Sequence, residues 1–182
     1  DDYASTETKR YPVIYLLHGL TGHFDNWTDK TKLAEYSRSF GYIIVTPEGN
    51  DGWYTDSASS PTEKYESYIV KELIPEIDKK FRTIADRDHR AIAGLSMGGY
   101  GSIKFGLKYP ELFSLVGSFS GALGAAEFSE KNAGGIGKSI ESGATVTADD
   151  TRTVACRQGR VVDARRRDEG RHDLTEDSVS RG

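Results

Sequence analysis

The chain of 182 residues has a single cysteine, Cys156, a single methionine, Met97, and five prolines, none beyond Pro110. A lone cysteine excludes an intramolecular disulfide. No apolar run approaches the roughly 20 residues that a membrane-spanning helix requires. Basic excess is missing too: the formal net charge is -4 and the pI is near 5.6. That balance argues against nucleic acid or an anionic membrane surface as the main partner. No His/Asp/Glu cluster has metal-ligand spacing, and Asp51 and Asp56, two carboxylates on one loop, do not make a metal pair. No metal is expected. At this length one domain is the natural count.

The deficits are unevenly placed. No aromatic residue follows Phe128 and no lysine follows Lys138, while Ser142 to Gly182 holds eight arginines and no isoleucine. This stretch has no sustained helical or strand period. It reads either as a solvated, disordered tail, which low hydrophobicity and dense charge favour, or as the product of a shifted reading frame. The expected division is a partial α/β domain over residues 1–141 and an anomalous Arg-rich tail over 142–182. The start, Asp1-Asp2-Tyr3-Ala4, has no initiator Met and reads like the middle of a protein.

What the chain does contain is Ala93-Gly94-Leu95-Ser96-Met97-Gly98-Gly99-Tyr100-Gly101. The Gly-x-Ser-x-Gly follows a short apolar run, His89 to Ala93, and opens an apolar-periodic segment, Tyr100 to Leu107. The pattern predicts a strand, a sharp turn with Ser96 at its apex, and a helix. Such a turn strains the serine backbone and lifts its hydroxyl clear of the sheet. The flanking glycines are required because side chains there would clash with neighbouring elements. The chemistry implied is nucleophilic acyl transfer.

Upstream, Tyr11 to Leu17 is a near-continuous apolar run, as suits a strand buried on both faces of a parallel sheet. His18-Gly19-Leu20-Thr21-Gly22 follows as a loop. A helix is expected over Asp29 to Phe40, with Leu33, Ala34, Tyr36, Ser37 and Phe40 on its face and Gly41 as its stop. Tyr42 to Thr46 reads as the next strand and Glu48 to Ser60 as a polar loop. A long helix is expected from Pro61 through Phe81, kinked or broken at Pro75. Leu112 to Phe119 is another strand. This alternation predicts a parallel sheet with helices on both faces. The loop at His18, the Glu48–Ser60 loop, Ser96 and Ser120-Gly121 all follow strands and converge on the ligand-binding edge of such sheets.

Individual residues on this edge carry competing readings. His18, at the end of a buried strand, reads as a brace of its loop. His23 and His89 read as surface or loop residues, and Lys79-Lys80 and Arg87-Asp88 as solvated charges. Trp53 and Tyr54 either contact substrate, for which aromatic rings suit acyl or sugar groups, or cap the local core.

At these residues the chain resembles the esterase D branch of the α/β-hydrolase superfamily, which includes S-formylglutathione hydrolases, feruloyl and acetyl-xylan esterases and mycolyltransferases. The matching pieces are Tyr11-Pro12-Val13-Ile14-Tyr15-Leu16-Leu17-His18-Gly19-Leu20-Thr21-Gly22, Gly49-Asn50-Asp51-Gly52-Trp53-Tyr54, the segment Ala93 to Gly101, Tyr109-Pro110-Glu111-Leu112-Phe113 and Ser118-Phe119-Ser120-Gly121. They span roughly residues 3–141, in family order. The resemblance implies an α/β-hydrolase fold truncated at both ends, with Ser96 as nucleophile and the backbone N–H groups of Leu20 and Met97 as the oxyanion hole. It also implies a later acid and histidine, in the order Ser, acid, His. His172 is the sole histidine after Ser96, and Asp163, after Val161-Val162, could mimic a strand-end acid.

The activity implied is a serine carboxylic ester hydrolase acting on short-chain, feruloyl or acetyl-sugar, or thiol esters, with no cofactor. The partner is then a small-molecule or carbohydrate ester, without nucleic acid or membrane. Two alternatives stand beside it: an acyltransferase of the mycolyltransferase type, and an inert remnant or binding protein. Without the flanking strands of such a fold, uncovered sheet edges and poor solubility are expected.

Overall fold

The computed structural model describes residues 3–57 and 60–124, and the backbone of 161–163. Five strands form one sheet: β1 (Val13–Leu17), β2 (Ile43–Val45), β3 (Arg90–Leu95), β4 (Leu115–Phe119) and β5 (Val161–Asp163), in the order β2-β1-β3-β4-β5. Every pairing is parallel. Val13 faces Ile43 on one side and Arg90 on the other, Gly94 faces Ser118, and Ser118 faces Asp163. This is the α/β-hydrolase arrangement expected. β5 falls in the segment read from composition as a tail, whereas the expected boundary at residue 141 lies outside the described residues.

The chain leaves β1 toward β2 and leaves β3 toward β4, in opposite directions along the sheet. The loops after β1 and β3 therefore part company between those two strands. A crevice opens at such a switch point, beyond the strand C-termini. Its walls are the His18–Gly22 loop and the turn at Ser96.

The helices depart from expectation in instructive ways. A short α1 (Asn26–Asp29) precedes the helix expected over 29–40, which is reduced to α2 (Leu33–Ser37), and neither buries a residue. The Thr31 hydroxyl accepts the Leu33 amide at 3.1 Å, and this local bond restarts the chain between them. Tyr36 and Phe40 stay 63% and 59% exposed, so their periodicity marks no core face. The long helix begins at Tyr65, four residues after Pro61. It runs as α3 (Tyr65–Ser67), a π-helical turn (Tyr68–Leu73) and α4 (Ile74–Lys80). Pro75 sits in the first turn of α4 and has no N–H to give back to the preceding turn. The wider π turn accommodates its ring without ending the helix.

α5 (Met97–Lys108) packs against β1, β3 and β4. One core cluster joins Val13, Tyr15, Leu17 and Ile92 of the sheet to Ile69, Ile74, Tyr100, Ile103 and Phe105 of the helices. Alternate strand residues face one side, so Val13, Tyr15 and Leu17 present one continuous apolar face to these helices.

Candidate active site

Ser96 stands between β3 and α5 with φ 55° and ψ -112°. A non-glycine residue in this region carries strain on the order of 1–3 kcal/mol. Three backbone hydrogen bonds hold it there. The Ser96 amide donates to the Phe119 carbonyl at 2.9 Å, and the Ser96 carbonyl accepts from Tyr100 at 3.0 Å and Ala122 at 3.1 Å. The turn is thus tied both to its own helix and to the end of β4. A Cβ on Gly94 would lie 2.3 Å from the Gly98 carbonyl oxygen, and one on Gly98 would lie 2.3 Å from the Leu17 oxygen and 2.6 Å from the His18 oxygen. The glycines of the motif are spatial requirements set by β1 and α5. Ser96 is half-buried, and among the described residues its hydroxyl makes no hydrogen bond.

Across the switch point, the loop after β1 approaches this turn. A Cβ on Gly19 would lie 3.6 Å from Ser96 Cβ. The Gly22 amide closes the loop on the Gly19 carbonyl at 3.0 Å, and Thr21, at φ 58°, donates its amide to Asp51 Oδ1 at 2.7 Å. Among the described residues the Leu20 amide has no acceptor. Met97 opens α5, where the first N–H groups of a helix have no partner in the preceding turn. Two uncommitted donors therefore flank the Ser96 turn, beside the positive end of the α5 dipole.

His18 is 2% exposed and braces the loop, as read from its position. Its Nδ1 lies 2.8 Å from the Gly19 carbonyl oxygen, so that nitrogen carries a proton and donates it. Its Nε2 lies 3.1 Å from Glu48 Oε1 and 2.9 Å from the Gly49 amide nitrogen. Glu48 also accepts amides from Gly49 and Asn50, at 2.9 and 2.7 Å, and lies 3.3 Å from His23 Nδ1. Burial alone would raise the Glu48 pKa, but the Asn50, Gly49 and Phe24 amides and the neighbouring His18 outweigh it and hold the carboxyl below its usual range. Sequence reading missed both Glu48 and Asp51 as organisers of the loop. The available signal was their position directly after β2, on the same edge as Ser96.

Trp53 and Tyr54 carry two readings, substrate contact and core cap. Tyr54 is fully buried and Trp53 is 6% exposed, packed edge-on to Tyr100 with centroids 5.7 Å apart. Their rings join the core cluster beneath the loop, the position that the core-cap reading describes. Both residues have positive φ, 53° and 56°. Met97 is likewise fully buried, whereas Leu20 is 39% exposed. His89 lies on the surface with its Nδ1 2.7 Å from Asp86, at the opposite end of β3.

Asp163 closes β5, in register with Ser118, and His172 lies outside the described residues. No group of three His, Cys, Asp or Glu among the described residues could hold a metal. A cavity of about 340 Å³ lined by Glu48, Thr62, Lys64, Tyr65, Tyr68 and Glu72 opens on the Glu48 side of the site. Another, of about 550 Å³, lies at the far end of the strands around Tyr3, Tyr11, Phe40 and Tyr42. The convergence of loops at the switch point, rather than cavity size, identifies the site.

Known proteins are similar to this chain in sequence and in fold. The chain is 39% identical over 125 residues to an esterase of Mycobacterium tuberculosis, covering 66% of this chain and 27% of that protein. It is 37% identical over 122 residues to an endo-1,4-beta-xylanase/feruloyl esterase of Xylanibacter ruminicola, covering 62% and 17%. The chain thus spans about a quarter or less of these relatives' lengths. A solved ferulic acid esterase is 35% identical with a TM-score of 0.59, covering 67% of this chain and 50% of that one. The family model described as "Putative esterase" matches residues 1–168, a span that includes the Ser96 turn, its facing loop and β5, and the chain belongs to this esterase family.

Proposed function

We propose that this chain carries the nucleophile and oxyanion hole of a serine carboxylic ester hydrolase. The observation that carries the reading is Ser96 itself. It is held at φ 55° between β3 and α5, its hydroxyl uncommitted, with the Gly19-Leu20 loop alongside. Ser96 Oγ attacks the ester carbonyl carbon and loses its proton to a histidine. The carbonyl oxygen becomes an oxyanion that accepts hydrogen bonds from the Leu20 and Met97 amides. Collapse expels the alcohol, which takes up the proton from that histidine, and water then releases the acid from the acyl-enzyme.

Asp163 is the acid candidate. Support comes from its place at the C-terminal end of a parallel strand beside β4, on the same sheet edge as Ser96. His172 is the candidate base by chain order. The relatives' names point to feruloyl esters as the substrate class to try first.

The test is labelling with a fluorophosphonate, mapped by mass spectrometry. A single adduct on Ser96, absent in Ser96→Ala, is expected. A folded chain that takes no adduct would overturn the reading and favour the inert remnant.

A further inference from the structure

α5 carries a lysine where an apolar residue would be expected. Lys104 is 1% exposed, one turn from Gly101 and two turns from the Ser96 elbow. Its ammonium donates to the Tyr54 carbonyl oxygen and, at 2.9 Å, to Glu66 Oε2. Glu66, itself 5% exposed, is further held by Lys108 and by the Tyr109 hydroxyl, which donates at 2.6 Å. Burying two charges costs more than their attraction commonly returns, and a well-packed apolar pair often serves stability as well. The pair therefore calls for a role other than holding the fold together.

Tyr54 supplies that role. Its carbonyl belongs to two consecutive aromatic residues of positive φ, a backbone that regular secondary structure does not satisfy. Its ring is caged by glycines: a Cβ on Gly49 would lie 2.4 Å from Tyr54 Cε1, and one on Gly101 would lie 2.8 Å from Cδ2. Its hydroxyl donates to the His18 carbonyl at 3.1 Å. The His18 carbonyl is bonded to the Gly19 nitrogen, and Leu20 follows. A continuous chain of contacts thus runs from Glu66 through Lys104 and Tyr54 to the backbone that aims the Leu20 amide.

We propose that Lys104, neutralised by Glu66, is a positioning residue. It fixes Tyr54 against α5, and Tyr54 fixes the loop that presents the Leu20 N–H to the oxyanion. The inference rests on the reading of Leu20 as an oxyanion donor, and it makes the nucleophile helix and the facing loop one rigid unit.

The experiment compares the full chain with Lys104→Met/Glu66→Met, which removes both charges together, and with Tyr54→Phe, which removes only the hydroxyl. Amide exchange over residues 18–22 is read against β3 as reference, alongside the second-order rate of fluorophosphonate labelling at Ser96. Faster exchange confined to 18–22 is expected in both variants. A fall of about 10- to 100-fold in labelling is expected too, since a displacement near 1 Å costs about 100-fold. Tyr54→Phe keeps the test decisive if the double variant does not fold. Unchanged exchange over 18–22 in a folded Tyr54→Phe variant overturns the proposal. Altered exchange in a chain that takes no adduct even as wild type would sink the hydrolase reading and leave the positioning relation standing.

Discussion

Single residues at the elbow separate space from chemistry. Gly98→Ala places a methyl against two backbone carbonyls, at 2.3 and 2.6 Å, and backbone does not yield as a side-chain tip does. The expected loss is about 1–3 kcal/mol of stability, the usual range for overpacking, together with loss of Ser96 labelling. Gly41→Ala is the natural control, since nothing lies within 4 Å of its Cβ. Denaturant midpoints of the two variants decide the matter. The two oxyanion candidates also diverge. Both would act through the backbone, but Met97 is core and Leu20 is surface. Met97→Ala is expected to cost about 2–5 kcal/mol, as large-to-small core changes do. Leu20→Ala should leave both stability and labelling rate near wild type. Equal effects in the two variants would contradict the burial difference.

At the scale of elements, the helical run Tyr65–Lys80 and α5 are joined by charge. Burial would raise the Glu66 pKa, but the Lys104 ammonium, with hydrogen bonds from Lys108, Tyr109 and Lys104, outweighs it and lowers the value from 4.5 to about 2. The folded state therefore binds fewer protons at Glu66 than the unfolded chain between these values. Its contribution to stability is complete above pH 4.5 and is lost as the pH falls toward 2. Thermal melts across that window should decline in the wild-type chain and decline less steeply in Glu66→Gln. Parallel slopes would show that other carboxylates govern acid unfolding. The same run explains why the kink or break expected at Pro75 gives way to a continuous run with a π turn ahead of it. Ile69 within the π turn and Ile74 directly before Pro75 are both anchored in the core, with Ile77 packed against it beyond the proline, and that packing carries the helix across the missing N–H.

At the scale of the molecule, β2 pairs only with β1 among the described residues and presents its other edge outward. Tyr36, Phe40 and Tyr42 stand exposed around it, and an open edge beside apolar rings is a template for association. Phe40→Lys with Tyr42→Lys should reduce concentration-dependent association in sedimentation without moving the melting temperature; unchanged association would place the sticky surface elsewhere. Four strands before residue 120, the elbow at Ser96 and the bracing place of His18 were legible in the amino-acid order alone. Those signals are local: runs five to eight residues long that are largely apolar, and glycines at fixed offsets around one serine. The inward turn of Trp53 and Tyr54, the buried Lys104–Glu66 pair and the gathering of three loop amides on Glu48 were decided only by the tertiary structure. Polar residues far apart in sequence read as solvated until the fold removes the water between them. Whether an aromatic on a loop faces ligand or core depends on the path of that loop over the sheet, which no periodicity records. β5 belongs with these: three residues in an Arg-rich stretch show no period of their own and become a strand through the open edge of β4.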